Sequence, residues 1–547
     1  MAMTDYGKLP EIYLFGGGLP SGGAPGLELL GGKAAKLARM SEAGLPIPPG
    51  FVLPTTMCRQ YFDAGGRLPT GFTELVAHNI RQLEKAAGLT FGGERRPLLV
   101  SVRSGAAVSM PGMMDTILNI GLSDRTLSAM ICLTGDPRHA WDSYRRLVQG
   151  YGEVVHLLPS APFEQLLAER LEREDAPTAH ELDVTSLKQL TGDYLRYFET
   201  QTGKPFPQDP MVQLTKAAEA VFRSWESPRA IEFRRLRSLE GMIGTAVTVE
   251  SMVFGNLGGA SGAGVAFTRD PTTGDDRLYV DFLWNAQGED VVSGRRRVQA
   301  LNGLQRSLPE VDRELRHVAE QLESLFLDVQ DFEFTVQEGR LFLLQSRTAK
   351  RTDWAALKIA CDLVREGLID RREALARLDG LDLDAIHLDR VAAHDGRPPL
   401  CQGIAAGPGV AVGPIALDLQ EAHRLAATGR PPILVRNDLS TDDIAGLAVA
   451  IGILTARGGR TSHAAVVARQ LNKVCVVGCS DLSIAADGRG CRIGGHWFHP
   501  GAELSLDGHG GGVYAGKLDV IEERPRECLA EVGSWKSERE APLASTA

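Results

Sequence analysis

The hydrophobic pattern changes several times along this 547-residue chain. A short apolar run at 12–15 predicts a strand. A helix is predicted from about 33 to 43, because apolar residues recur there on one face, at Ala35, Leu37 and Met40. A Gly-Leu-Pro run follows it at 44–46 and is expected to end that helix.

Farther along, blocks of helical and strand-like pattern alternate. Residues 126–222 are rich in helix formers and are expected to form a helical insert, whereas 244–347 carry short β-rich runs separated by glycine turns. A charged, mainly helical connector is predicted over 353–396, followed by a compact α/β unit from about 400 to 517. The tail after Arg524 is polar and is expected to be disordered.

The connector has a helix signal of its own. Asp353 is the expected N-cap, and an apolar stripe at helical spacing follows it, at Trp354, Leu357, Cys361 and Val364.

Composition excludes several classes of protein. The chain is 43% hydrophobic and 23% charged, which is typical of globular domains with full cores. A net charge of −10 argues against nucleic acid as a general partner, and eight scattered cysteines argue against a disulfide framework. The longest apolar run, 444–454, is shorter than the about 20 residues that a membrane helix needs. With no signal-peptide pattern, we expect a cytoplasmic protein.

The most informative stretch is 458–469, Gly-Gly-Arg-Thr-Ser-His-Ala-Ala-Val-Val-Ala-Arg. It places His463 at the start of a predicted small-residue helix, whose free N–H groups favour a phosphoryl group beside the imidazole. A histidine so placed can attack phosphorus and carry the phosphoryl group covalently. The alternative is a histidine that caps the helix or packs against its neighbours.

Two upstream segments indicate phosphate binding. Gly31-Gly32-Lys33 opens a helix, so that glycine backbone, helix N–H groups and a mobile positive charge come together. Arg103 lies at the end of a buried strand, where its planar guanidinium can grip a phosphate. The alternatives are a solvated lysine and an internal salt bridge of the arginine.

The third segment predicts a metal site. In the strand 331–336, Asp331 and Glu333 point to the same side, and two such carboxylates favour Mg²⁺ between them. A three-residue turn at 338–340 would place Gln345 opposite Glu333 and Arg347 opposite Asp331. The alternative is a solvated strand face.

Together these motifs resemble, in order and spacing, the pyruvate phosphate dikinase family. The resemblance covers nearly the whole chain up to about Lys517 and is carried by the motifs at 15–18, 30–33, 44–51, 101–114, 141–146, 244–256, 264–271 and 285–290 and by the His463 segment.

The resemblance implies an α/β multidomain protein: an ATP-grasp nucleotide-binding domain at 1–350 with its helical insert, a helical connector at 351–398, a swivelling β/α phosphohistidine domain at 399–518 and a polar tail at 519–547. The swivelling domain is expected to move on linkers near 391–399 and after 517. Implied ligands are ATP, inorganic phosphate, Mg²⁺ and a monovalent cation, K⁺ or NH₄⁺. The implied site residues are His463 as nucleophile, Asp331 and Glu333 for the metal, and, for ATP, Lys33, Arg103, Glu289, Gln345 and Arg347.

In the family, the histidine attacks the β-phosphorus of ATP and releases AMP, after which phosphate removes the terminal phosphoryl group as pyrophosphate. The family's enzymes continue into a barrel that binds pyruvate or phosphoenolpyruvate, and we expect that half to come from a separate barrel protein. Two alternatives remain: a phosphotransferase with another small-molecule or carrier-protein acceptor, and a non-catalytic ATP-binding regulator.

Several positions depart from the family pattern. Arg460 stands where the dikinases usually have Met, as in the related phosphoenolpyruvate synthases, which use water instead of phosphate. Those synthases have a cysteine where Ser462 precedes the histidine here. Glu250 and Asp281 replace an expected Gln and Glu, so that adenine or ribose contacts are expected to change. Thr461 matches a position that some members regulate by phosphorylation, although helix capping is its alternative role.

Overall fold

The structure is a computed structural model. It describes residues 9–19, 26–108, 116–239, 241–292, 299–392, 398–439, 444–459, 465, 467–468, 471–485 and 487–540. The chain divides into two compact units, each described by itself below. The first comprises Met1–Gly259 with Phe342–Ser346, and the second comprises Ala260–Leu341 with Arg347–Ala547. The domain boundaries at 350, 398 and 518 stay a prediction.

The first unit is built on a five-stranded sheet in the order β1-β2-β7-β5-β6. Its strands are β1 Tyr13–Phe15, β2 Gly50–Leu53, β5 Val100–Gly105, β6 Thr116–Ile120 and β7 Ala246–Ser251, with the short pair β3 Thr90–Phe91 and β4 Pro97–Leu98 beside them. Every residue of β2 and β7 is buried, because these strands lie inside the sheet.

Helices surround this sheet. They are α1 Leu27–Glu42, α2 Thr55–Asp63, α3 Phe72–Ala87, α4 Asp124–Thr134, α5 Pro137–Val155, α6 Ser160–Arg173, α7 Val184–Thr202, α8 Pro210–Ser224 and α9 Pro228–Leu236. Helices α4 to α8 occupy the predicted helical block, and four of them begin at side-chain caps, Ser123, Asp136, Asp183 and Asp209. Leu187 and Tyr194 of α7 belong to the same core as Val102 and Val249 of the sheet.

One buried histidine in this core lowers the stability of the folded protein. His139 on α5 is 1% exposed, and neither of its ring nitrogens has a hydrogen-bond partner among the described residues. Its ring packs edge-on against Phe254, with 4.8 Å between ring centroids. Burial, which disfavours the charged imidazolium, lowers the pKa of His139 to about 4.

We therefore expect His139→Phe to stabilise the protein and to reduce its acid sensitivity. The unfolded chain takes up a proton on this imidazole near pH 6.5 and the folded chain only near pH 4, so native stability is lost as pH falls between those values. From pH 7 to pH 5 the wild type should lose about 2 kcal/mol through this group, and the Phe variant none of it. Urea denaturation at several pH values measures the difference. The exposed His78→Ala serves as control; equal pH profiles of the wild type and the Phe variant would contradict the interpretation.

The second unit begins with a sheet in the order β10-β9-β8-β11-β12. Its elements are β8 Gly262–Phe267, β9 Tyr279–Trp284, α10 Gly288–Val292, β10 Gln299–Ala300, α11 Leu301–Ser307, α12 Pro309–Phe326, β11 Gln330–Gln337 and β12 Arg340–Thr348, of which Phe342–Ser346 is counted with the first unit. Arg269, just after β8, is 2% exposed and donates hydrogen bonds to both Glu323 of α12 and Glu366. The buried Arg269 guanidinium thus links the sheet, α12 and the end of the next helix through two carboxylates.

Two corrections concern the connector and the tail. The connector contains α13 Asp353–Arg365, α14 Arg371–Arg377 and the strand β13 Leu388–Val391. The N-cap of α13 is Thr352 and not Asp353: the Thr352 hydroxyl accepts a hydrogen bond from the Ala355 N–H at 3.2 Å. The tail expected to be disordered forms a helix, α17 Arg526–Glu540. Two apolar side chains explain this helix, because Val532 and Trp535 are buried in the same core as α13 and α14.

A mixed α/β body follows the connector, as predicted. Its eight-stranded sheet has the order β14-β24-β23-β16-β17-β18-β19-β15. Strand β17 runs parallel to β16, β18 to β17 and β19 to β18. The elements are β14 Cys401–Gln402, β15 Ile404–Gly407, β16 Val410–Ala416, α15 Leu419–Ala427, β17 Ile433–Arg436, α16 Ile444–Val449, β18 Gly452–Thr455, β19 Val474–Val477, the meander β20 Leu482–Ile484, β21 Cys491–Ile493 and β22 His496–Phe498, then β23 Glu503–Asp507 and β24 Gly512–Ala515.

The chain enters and leaves this body through a two-stranded ribbon. The strand before it, β13, pairs antiparallel with the strand after it, β25 Val520–Glu523, from Leu388 opposite Glu523 to Val391 opposite Val520. Val391, at the start of the first predicted linker, is thus paired with Val520 in the second.

Among the described residues, no helix is both long enough and apolar enough to cross a membrane.

Candidate functional site

A polar stripe runs across two neighbouring strands of the first unit. Ser101 of β5 lies opposite Glu250 of β7, and Arg103 lies opposite Thr248. Because residues two apart on a strand point to the same side, these four side chains share one face of the sheet. Ser101, Thr248 and Glu250 are each at most 2% exposed, so most of the stripe is buried.

Arg103 is the positive charge of this stripe. Its guanidinium lies 3.7 Å from the Glu250 carboxylate, measured from Nη1 to Oε2, and its side chain is 19% exposed. The internal salt bridge that was the alternative for Arg103 is therefore present. Arg103 Nε and Thr248 Oγ1 are buried and have no hydrogen-bond partner among the described residues, so that this face retains donor capacity for a bound anion.

From the sequence, Glu250 was expected only to change an adenine or ribose contact, and Thr248 was not predicted as a site residue. Asp281, the other residue at which an adenine or ribose contact was expected to change, is also buried. Its carboxylate accepts a hydrogen bond from the Tyr279 hydroxyl at 2.9 Å. Period-two alternation along 246–251 could have indicated the shared face of Thr248 and Glu250. Nothing local in the sequence indicates that β7 lies beside β5.

We expect Glu250→Gln to strengthen ATP binding while weakening the ligand-free protein. The substitution leaves the Arg103 charge without its buried counter-ion, which should cost about 1–2 kcal/mol of stability. A phosphate group can then supply that counter-charge, and affinity for Mg²⁺-ATP should rise about fivefold. Thermal melts and calorimetric titration measure both effects, with the exposed Glu74→Gln as matched control. Weaker ATP binding by the variant would show that Glu250 serves chiefly to orient Arg103.

The glycines before Lys33 lie against a neighbouring stretch of backbone. Gly31 has φ +73° and interrupts α1, so that the regular helix starts beyond it. A Cβ on Gly31 would lie 2.2 Å from the Gly105 carbonyl oxygen, and the Gly32 N–H donates to the Ala106 carbonyl at 2.8 Å. The glycine pair therefore admits the backbone that follows β5. Lys33, half-buried, is thereby fixed in the helix next to the strand end that carries Arg103.

The predicted cluster on the second-unit hairpin is present. Arg347 Nε donates to Asp331 Oδ2 at 2.8 Å, and Arg347 Nη2 lies 3.7 Å from Glu333 Oε1. One guanidinium thus bridges both carboxylates. Burial lowers the pKa of Arg347, but the charges of Asp331 and Glu333 together with the hydrogen bond to Asp331 more than offset this, and its pKa lies above the usual value.

The hairpin turn is shorter than expected. Strand β11 ends at Gln337 and β12 begins at Arg340, so that only Glu338 and Gly339 connect them, with φ of 49° and 78°. Positive φ at both residues is typical of a two-residue turn that matches the twist of the strands. Gly264 of β8 leaves room for the Phe334 ring of β11, because a Cβ at this position would lie 2.4 Å from that ring.

The acidic pair fits a divalent cation. Asp331 is buried and Glu333 half-buried, and with Arg347 they carry a net charge of one negative unit. Two carboxylates on one strand face supply the oxygen ligands that Mg²⁺ prefers, with water and phosphate oxygens as the remainder of its shell. No group of three or more His, Cys, Asp or Glu side chains suited to a metal is found within the described parts of the chain.

The remaining predicted residues are placed less completely. Gln345 is half-buried in β12, within the segment Phe342–Ser346 that belongs to the first unit. Glu289 lies in α10, but its side chain is outside the described residues. His463 and Thr461 also lie outside them. The segment that contains both joins the carboxyl end of β18 to the parallel strand β19, and ligand sites of parallel α/β sheets lie at such ends.

Comparison with known proteins gives two family matches. The family model for the pyruvate phosphate dikinase AMP/ATP-binding domain matches residues 27–86 and 66–314, and the one for the mobile domain of PEP-utilising enzymes matches 429–511. Fold and matches together define an α/β multidomain protein with an ATP-binding-type domain and a mobile-type domain. The chain belongs to the pyruvate phosphate dikinase family.

Curated relatives carry the same family name. The chain is 45% identical over 541 residues to pyruvate, phosphate dikinase 2 of Zea mays, covering 98% of this chain and 61% of the relative. It is 44% identical over 517 residues to pyruvate, phosphate dikinase of Clostridium symbiosum, covering 94% and 59%. The relative from Rhizobium meliloti (strain 1021) is 42% identical over 536 residues, covering 96% and 60%. The chain thus spans about three fifths of the length of these relatives.

Proposed function

We propose that this chain is an ATP-dependent phosphotransferase that forms phosphohistidine on His463 from ATP and inorganic phosphate, with release of AMP and pyrophosphate. The observation that carries the proposal is the pair Asp331 and Glu333 bridged by Arg347, because such a cluster suits a nucleotide-bound Mg²⁺ in a chain of this family. The nucleotide domain is an ATP-grasp fold, and the domain that contains His463 swivels.

The chain's own residues divide the work. Lys33 and Arg103 bind phosphate oxygens, and Gln345, Arg347 and Glu289 complete the nucleotide site. Asp331 and Glu333 hold Mg²⁺, which when bound neutralises phosphate charge, with K⁺ or NH₄⁺ as the assisting cation. Because phosphoryl transfer depends mostly on positioning and charge neutralisation, these residues supply the main catalytic effect.

The covalent steps balance on His463. Its neutral imidazole nitrogen attacks the β-phosphorus, the bond to the α-phosphate oxygen breaks, and AMP leaves. Inorganic phosphate then attacks the terminal phosphorus of the pyrophosphoryl group, pyrophosphate leaves, and phosphohistidine remains. One histidine serves the ATP site and a later acceptor, so we propose that its domain moves on the ribbon of β13 and β25. We assign the pyruvate half to a barrel outside these 547 residues.

Positionally labelled ATP tests this reaction. Purified chain with Mg²⁺ and β-labelled ATP should acquire acid-labile label and release AMP, and this label should persist when phosphate is added. With γ-labelled ATP, phosphate should remove the label as pyrophosphate. Loss of γ-label without phosphate would instead show that water is the second acceptor. Absence of label under every cation condition, in protein that still binds ATP, would contradict the proposed activity and favour a regulatory role.

A further inference from the structure

Two cysteines far apart in sequence meet between two helices of the second unit. Cys361 of α13 is buried, and its thiol lies 3.8 Å from the carbonyl oxygen of Cys528 in α17. The two thiols are near enough to shift each other's pKa, and Cys528 is half-buried, so that the pair is partly accessible to solvent. This pairing is unrelated to the residues of the proposed phosphotransfer.

The surroundings of Cys528 favour its thiolate. Cys528 lies in the first turn of α17, where unpaired N–H groups stabilise a negative charge. Arg365, one turn beyond Cys361 on α13, approaches the same place and pairs with Glu531 of α17 at 2.6 Å. The neighbouring Cys361 thiol, together with Arg365, lowers the pKa of Cys528 to about 7, while the Cys528 thiol raises the pKa of Cys361.

A second pair of neighbouring thiols in the same unit is closed to solvent. Cys401 and Cys479 also shift each other's pKa, but their exposures are 5% and 0%. Reaction with a dissolved oxidant requires access as well as thiolate character. The Cys401–Cys479 pair is therefore an internal control for the pair that includes Cys528.

We propose that Cys528 is a modification site for low-molecular-weight disulfides such as oxidised glutathione, with Cys361 as its resolving partner. The Cys528 thiolate attacks one sulfur of the oxidant, forming a mixed disulfide and releasing one glutathione thiolate, which takes up a proton. Cys361 then loses its proton to solvent and attacks Cys528 Sγ, releasing the second glutathione. The two cysteines are oxidised to one disulfide and the oxidant is reduced to two thiols.

The disulfide would join α13, which precedes the C-terminal α/β body in sequence, to α17, which follows it. The two cysteines are 167 positions apart, and the body with its β13–β25 ribbon lies between them in sequence. A crosslink across so long a loop restricts the unfolded chain strongly, and oxidation should raise the melting temperature. The polar helix α17 would thereby be fastened to α13.

Mass mapping of the full chain after treatment with oxidised glutathione tests the proposal. The wild type should give a Cys361–Cys528 crosslinked peptide and a higher melting temperature, with Cys401 and Cys479 still reduced. Cys361→Ser should stop at a glutathione adduct on Cys528, and Cys528→Ser should leave Cys361 unmodified. A glutathione adduct that persists on Cys528 in the wild type would overturn the resolving role of Cys361.

A measurement on wild-type protein is independent of how the variants fold. The exposed Cys132 provides a comparison thiol in the same chain. With limiting iodoacetamide at pH 7, Cys528 should be alkylated several-fold faster than Cys132, with a rate that rises around pH 7. Faster alkylation of Cys132, or disulfide formation at Cys401–Cys479 before Cys361–Cys528, would overturn the proposal.

Discussion

Replacing His463 by alanine should abolish acid-labile phosphorylation of this protein while ATP binding survives. Alanine has no nucleophilic nitrogen, so the first covalent step cannot occur, and the expected loss is the entire signal above background. The nucleotide residues proposed here lie elsewhere in the sequence, so affinity for Mg²⁺-ATP should change little. Labelling with β-labelled ATP and calorimetric titration measure the two quantities on the same preparation.

A second histidine gives the matched control for that experiment. His423 is an exposed residue of α15 in the same α/β body, and His423→Ala should label like the wild type. Label that persists in His463→Ala would move the nucleophile to another residue. Loss of label in both variants would point to damage of the body as a whole.

Asp331→Asn is expected to have the second largest effect. The amide oxygen can still accept the hydrogen bond that Arg347 donates at 2.8 Å, but the negative charge is gone and the cluster becomes neutral. If Asp331 and Glu333 hold Mg²⁺, charge stabilisation worth several kcal/mol is weakened, and labelling should slow by about 100-fold or more. The variant should also require more Mg²⁺ for half-maximal labelling.

The same hairpin offers its own control. Glu338→Gln removes an exposed carboxylate at the turn and should leave both the rate and the Mg²⁺ requirement unchanged. A thermal melt of Asp331→Asn checks that the fold is retained, since the amide is nearly isosteric with the carboxylate. Labelling of Asp331→Asn at the wild-type rate and the wild-type Mg²⁺ requirement would rule out Asp331 as a metal ligand.

Local pattern predicted the acidic cluster well. Alternation along β11 places Asp331 and Glu333 on one side, and a hairpin necessarily returns the chain beside them, so that an arginine in β12 can reach both. The turn length was wrong, because Glu338 adopts φ 49° and forms a two-residue turn with Gly339. Positive φ is uncommon for Glu, so only the neighbouring glycine signalled this turn.

The polar stripe of the first unit could not be predicted from the sequence, because it depends on which strands are neighbours in the sheet. Arg103 and Glu250 are partners because β5 and β7 are neighbours in the sheet, although about 150 residues, including six α-helices, separate them. No periodicity within either strand contains that information. The Gly31–Gly32 pair shows a related limit, since glycine signals a close approach but does not identify which backbone approaches.

The final helix shows how a few apolar anchors outweigh composition. Residues 526–540 are mostly polar and charged, which is typical of disorder. Val532 and Trp535 nevertheless lie buried beside α13 and α14, and ion pairs such as Arg365–Glu531 surround them. Burial of these two side chains offsets the ordering cost only because the connector helices present a partner surface, and a single-segment pattern cannot show that surface.

The ribbon of β13 and β25 makes the C-terminal α/β body a cassette. Val391 and Val520 are direct neighbours across the ribbon, so the two ends of the intervening segment lie side by side. A short loop could replace 392–519 without separating the flanking strands, and the body of another family member could be grafted at the same two positions. Exchange of the C-terminal α/β body between proteins, by evolution or by design, therefore requires two adjacent junctions and no rebuilding of the helices that precede and follow it.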